Sequence, residues 1–117
     1  MKKIGLISIF INEYDYFFEG WYKSFMEKFF SNEQLYFFVI TNSENIVKKE
    51  NMSIYHIPEK NIKWPIPTLY RFKYFQMIDT HILNSMDYIF FTNSNAICNE
   101  KISFNIDYDY TFTRHIY

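Results

Sequence analysis

The sequence predicts an α/β protein with a Rossmann-like, mostly parallel sheet and flanking helices. Three observations predict it. Short, continuous apolar runs of strand length recur along the chain, at Ile4–Ile11, Leu35–Thr41 and Asp87–Thr92. Runs with helical spacing of apolar residues separate them. Strands buried on both faces read as unbroken apolar stretches, and strands alternating with helices favour parallel pairing. At 117 residues, 49% of them hydrophobic, the chain has material for one domain, residues 1–117, with a single core.

Taken in order, Ile4–Ile11 is the first strand, β-branched and uninterrupted. Asp15 then stands where a helix N-cap would. Phe18, Trp21, Tyr22, Phe25 and Phe29 follow at helical spacing, which predicts an amphipathic helix over Tyr16–Phe30. Leu35–Thr41 is the second strand, and the polar stretch Asn42–Asn51 a surface loop. Ser53–Ile57 is a short third strand. "PEKNIKWPIP", from Pro58 to Pro67, carries all three prolines of the chain and is expected to be irregular. Its Trp64 is either a lid or a core plug. Pro67 and Thr68 open a second helix, since proline suits a first turn, and Leu69, Phe72, Phe75, Ile78 and Ile82 form its buried stripe. Asp87–Thr92 is the fourth strand. Ile102–Phe104 and Tyr108–Thr113 are weaker strand candidates.

Composition excludes several functions. A net charge of −1, from 12 basic and 13 acidic residues, supplies no field to grip a nucleic-acid backbone. Two glycines leave no Walker or dinucleotide-type phosphate loop. His56, His81 and His115 lack metal-ligand spacing, and Asp107 and Asp109 read as a solvated pair. The one cysteine, Cys98, has neither His nor acid adjacent and reads as a buried structural thiol. With no internal disulfide and no apolar stretch of membrane-spanning length, a cytoplasmic protein is expected, with at most a peripheral membrane contact.

Ligands of open parallel sheets sit beyond the carboxyl ends of the strands. Two segments occupy such ends, Phe10–Tyr14 and Asn93–Asn95. In "DYIFFTNSNAIC" the apolar strand runs straight into Asn93-Ser94-Asn95. Residues i and i+2 of an extended turn project to one side, so both amides can meet one ligand, donating and accepting for ribose hydroxyls or phosphate oxygens. Asn-Ser-Asn is equally a good turn sequence. Arg71, one turn into the second helix, can fork onto such a site or stay solvated.

These pieces, in order, resemble glycosyltransferase family 6. "IFINEYDYFFEGWYKSFMEKFF" is similar to that family's first strand, uridine-binding turn and helix, and "YFFVITNSENI" to its second strand. "KWPIPTLYRFKYF" resembles its tryptophan and arginine-bearing helix, "DYIFFTNSNAIC" the strand ending in its Asp-x-Asp motif, and "TFTRHIY" a later histidine-containing stretch. Ile116-Tyr117 stand where the family has Pro-Gly. The resemblance implies a hexosyltransferase of the GT-A type. Its reaction is retaining α-1,3 transfer of galactose or N-acetylgalactosamine from a UDP-sugar to a glycan acceptor. It implies donor contacts from Phe10, Ile11, Tyr14, Arg71, Asn93 and Asn95, and an acceptor contact from His115. With Asn-x-Asn in place of Asp-x-Asp, as in bacterial members, no metal or other cofactor is expected. The family's nucleophile-position glutamate has no counterpart here, so no catalytic residue is assigned. A truncated, inactive UDP-binding remnant is the alternative reading, and self-association through an open sheet edge is a further expectation.

Overall fold

The computed structural model describes residues 1–60, 62 and 71–103, with Arg71 and Phe72 described by backbone alone. The elements are β1 (Lys3–Phe10), a 3-10 segment (Asn12–Phe17), α1 (Phe18–Lys28), β2 (Gln34–Thr41), β3 (Met52–His56), α2 (Arg71–Phe75), α3 (Thr80–Asn84) and β4 (Tyr88–Phe91). The four strands form one sheet in the order β3-β2-β1-β4. Every pairing is parallel, with Ile7 opposite Phe38 on one side and Phe91 on the other. The α/β Rossmann-like arrangement expected from the apolar runs is therefore present.

The sheet sorts its side chains by the two-residue period of a strand. Ile4, Leu6 and Phe10 of β1, with Leu35, Phe37 and Val39 of β2, pack with Phe18, Trp21, Phe25 and Phe29 in one cluster. Ile7 and Ile11, with Phe38 and Ile40, pack on the other face with Ile57, Ile62 and Ile78. The first face is an aromatic layer: Trp21 meets Phe10 edge-on at 5.1 Å and Phe37 at 5.3 Å. Such contacts add about 0.5–1.5 kcal/mol each beyond the area they bury. On the second face Gly5 allows a close approach. A Cβ there would stand 3.0 Å from Phe38 Cε2 and 3.2 Å from Met86 Cγ.

Three expectations are corrected. Asp15 does not cap α1. It lies inside the 3-10 segment, where its carboxylate accepts from Ser43 Oγ at 2.6 Å and Asn45 Nδ2 at 3.2 Å, and α1 starts with no side-chain cap. The second helix is two short helices. After Phe75 the backbone tightens into i to i+3 bonds, Met77 N–H to Tyr74 O and Ile78 N–H to Phe75 O. Asp79 then caps a new helix by accepting from His81 N–H at 2.8 Å. This resets the helical phase, so Ile78 is buried while Ile82 is 38% exposed. The start of α2 at Pro67, together with Trp64, lies outside the described residues. Of the weaker strand candidates, Ile102 makes one isolated parallel bridge with Phe29, and residues 104–117 lie outside the described set. No helix among the described residues is long and apolar enough to cross a membrane.

Candidate functional site

The connection β1-α1-β2 moves the chain to one side of β1, and the path from β3 returns it to β4 on the other side. The order 3-2-1-4 thus places the topological switch point between β1 and β4, the position at whose carboxyl ends open parallel sheets bind ligands. β1, β2 and β4 are each followed closely by an asparagine: Asn12, Asn42 and Asn93.

Asn12 and Asn42 hold one another. Asn12 N–H donates to Asn42 Oδ1 at 2.7 Å, and Asn42 Nδ2 donates back to Asn12 Oδ1 at 2.9 Å. The same two side chains bind the chain beyond β3. Asn12 Nδ2 donates to the Ile62 carbonyl, Ile62 N–H donates to Asn12 Oδ1 at 3.0 Å, and Asn42 Nδ2 donates to the Glu59 carbonyl at 3.1 Å. Lys60 Nζ donates to the Asn42 carbonyl at 3.0 Å. Asn12 adopts φ 58°, a left-handed conformation that asparagine tolerates better than most residues. Beside this knot a cleft of about 350 Å³ is lined by Asn12, Asp15, Asn42, Ser43, Glu44, Asn45 and Lys60.

Across the carboxyl end of β1, Thr92 closes β4. Its N–H donates to the Ile7 carbonyl at 3.0 Å, its carbonyl accepts from Ser8 Oγ at 2.9 Å, and its Oγ1 accepts from Trp21 Nε1 at 2.7 Å. The chain then turns, with Ala96 N–H bonded to the Asn93 carbonyl at 3.1 Å. Ser94 is buried, and Asn93 and Asn95 on either side of it are exposed. This alternation matches an i, i+2 pair presented to one side. Among the described residues neither amide side chain has a hydrogen-bond partner. Two neutral amides supply weak ligands for a hard divalent cation, which prefers carboxylate oxygens.

The other expected site residues divide. Phe10 is fully buried, its ring edge-on to Phe18 at 5.6 Å and to Trp21, and Ile11 packs into the opposite cluster. Both reach the carboxyl edge with backbone rather than side chain. Tyr14 is 58% exposed, its ring edge-on to Phe17 at 5.8 Å. Arg71 is the first described residue of α2, but its side chain lies outside what is described, as does all of His115. Asn12, Asp15, Asn42, Ser43 and Asn45 were not assigned to the site from the sequence, although Asn12 falls within the segment Phe10–Tyr14 and Asp15 reads there as a helix cap. The available signal was the repetition of an apolar strand followed by asparagine. Cys98 is buried, donating Sγ–H to the Glu100 carbonyl, and burial pushes its thiol up to about 11. That is the inert thiol expected. Among the described residues no three His, Cys, Asp or Glu side chains converge as a metal site would require.

No protein-family profile matches the sequence. Over 103 residues, 87% of its length, the chain is 34% identical to the O-antigen biosynthesis glycosyltransferase WbnI of Escherichia coli. It spans 43% of that relative's length.

Proposed function

We propose that this chain is the donor-binding portion of a hexosyltransferase of glycosyltransferase family 6, holding a UDP-sugar along the carboxyl edge of its sheet without a metal ion. The observation that carries the reading is the pair of exposed amides, Asn93 and Asn95, unbonded among the described residues, at the switch point between β1 and β4. Similarity to a protein named as a glycosyltransferase supports the reading at the level of sugar transfer. The family, the α-1,3 linkage, the choice of galactose or N-acetylgalactosamine, and metal independence are parts of the proposal.

In this reading the Tyr14 ring stacks on the uracil, and the Phe10–Asn12 backbone lines the ribose. The Asn93 and Asn95 amides donate to diphosphate oxygens, with Arg71 as the cation that offsets their charge. Amides in place of carboxylates remove the repulsion that a metal would otherwise neutralise. Transfer breaks the bond between the sugar C1 and the UDP oxygen and forms one between C1 and an acceptor hydroxyl oxygen, releasing UDP and the hydroxyl proton. An oxocarbenium-like transition state needs a carboxylate on the reacting face, and the resemblance gives Glu13, Glu19 and Glu100 no such role. His115 touches the acceptor, a bacterial surface glycan.

Calorimetric titration with UDP and then UDP-galactose and UDP-N-acetylgalactosamine, in EDTA, tests the reading. Binding that survives EDTA and is lost in Arg71→Ala and Asn95→Ala supports it. No heat at millimolar UDP from a folded chain overturns it. Because the resembling stretch carries no assigned nucleophile, binding without turnover is the second reading. Release of UDP in the presence of a galactose-terminated acceptor separates the two.

A further inference from the structure

The Asn-Ser-Asn turn rests on helix α1, which holds it at both ends, through the buried Trp21 and the half-buried Ser24. Before the turn, Thr92 is fully buried and bonded from three directions: the Ile7 carbonyl, Ser8 Oγ and Trp21 Nε1. After it, Cys98 N–H donates to Ser24 Oγ at 3.0 Å, and Ser24 in turn donates to the Trp21 carbonyl at 3.1 Å. Ala96 and Cys98 both belong to the buried cluster that contains Trp21. Between them Ile97 lies over Gly20, where an added Cβ would stand 3.7 Å from its Cδ1. One face of α1, made by Gly20, Trp21 and Ser24, is thus the bed on which residues 92–98 lie.

A packing role alone would not need this chemistry. Trp21 fills the aromatic core with its ring, and phenylalanine could supply most of that area. The indole N–H adds a buried polar group whose available use is the Thr92 hydroxyl. A buried donor of this kind is costly to leave unpaired and directional when paired. The residue it grips is the last one before Asn93. Ser8 does the same from β1. It interrupts an otherwise apolar run to take the Thr92 carbonyl at the place where the β1–β4 register ends, Ile7 opposite Phe91.

We propose that Thr92 is a positioning residue, locked by Trp21 and Ser8, which sets the direction in which Asn93 and Asn95 present their amides to the donor diphosphate. The inference rests on the donor-site reading above, but its first readout does not. Thr92→Val keeps the shape of the side chain and removes the acceptor, Trp21→Phe keeps an aromatic, though smaller, ring and removes the donor, and Thr92→Ser keeps the hydroxyl. Nitrogen-15 NMR of the whole chain follows the backbone and side-chain amide signals of Asn93 and Asn95, and titration with UDP gives the affinity.

The expected result is that Thr92→Val and Trp21→Phe each shift both asparagines' signals and weaken UDP binding by on the order of tenfold, the worth of about one hydrogen bond. The double variant is no worse than either single one, and Thr92→Ser stays within about twofold of the wild type. If folded Thr92→Val and Trp21→Phe keep wild-type asparagine signals and UDP affinity, the network is structural only and the proposal falls. If Thr92→Val does not fold, Trp21→Phe decides. If the wild type binds no UDP, the donor-site reading fails by itself, and the NMR signals still show whether Thr92 orients the turn.

Discussion

Two pairs of asparagines stand at the carboxyl edge of this sheet, and they have opposite fates. Asn12 and Asn42 bond to each other and to Glu59, Lys60 and Ile62, so that almost every polar atom they own is used inside the protein. The side-chain amides of Asn93 and Asn95 bond to none of the described residues. The first pair ties three segments of chain together. The second is held in place by its neighbours, Thr92 behind it and Ala96 in front, while its own amides stay available. A fully bonded amide stabilises, and an unbonded one that others hold can recognise a ligand. The residue type is the same, and the neighbours decide the role.

The largest effect that would sharpen this contrast is on stability. Asn42→Ala removes three side-chain hydrogen bonds and leaves Asn12 N–H without its acceptor. Chemical denaturation is expected to show a loss of about 2–4 kcal/mol, the sum of three part-buried hydrogen bonds worth about 1 kcal/mol each. A loss below about 0.5 kcal/mol, the range of ordinary surface changes, would erase the distinction between the pairs. Next is a change of chemistry at the free pair. Asn93→Asp with Asn95→Asp should make UDP binding dependent on Mn²⁺ or Mg²⁺ and weaken it in EDTA, since carboxylates repel a diphosphate until a cation bridges them. Cation-independent binding by that variant would place the diphosphate elsewhere.

Smaller still are the single changes. Asn93→Ala and Asn95→Ala should each leave unfolding within about 0.5 kcal/mol of the wild type while lowering UDP affinity by on the order of tenfold. Loss of stability with unchanged affinity would reverse the assignment. The smallest effect belongs to Cys98, on the far side of the turn. Cys98→Ala should leave UDP affinity within about twofold, as expected of a thiol with a packing role. Its thiol stands at about 11 in the fold against 9.0 as the ordinary value, so the folded state keeps a proton that the unfolded state gives up. That contribution is complete below pH 9 and is lost as pH rises toward 11. Wild type minus Cys98→Ala, compared by urea unfolding at pH 8 and pH 10.5, isolates it. Alkylation of the native thiol at pH 8 should also be about 100-fold slower than in denaturant.

Much of the fold was legible because burial imposes a pattern. β1, β2 and β4 declared themselves as apolar runs, and α1 as aromatic residues every three or four positions. The prediction for α1 covered the correct buried face but began too early. It took Tyr16 and Phe17, the end of the 3-10 segment Asn12–Phe17, for helix, because both conformations space side chains at three to four residues. The stripe through Ile82 failed for a related reason: Asp79 restarts the helix, and a restart changes phase without changing composition. At the site, Asn93 and Asn95 stood out because a strand pointed at them. Asn12, Asn42 and Asp15 did not, since polar residues after a strand are what any loop looks like.

The sequence by itself determined that there would be a parallel sheet, that α1 would bury its aromatic face, and that the strands would end in amides. These are consequences of local period and polarity, which need no knowledge of what lies across the chain. Only the tertiary structure decided which amides are used up and which are free. That outcome depends on partners 30 and 50 residues away for Asn12, in Asn42 and Ile62, and 71 residues away for Trp21, in Thr92. Hydrogen bonds are short and directional, so they exist only after the sheet has brought such distant positions within about 3 Å of each other.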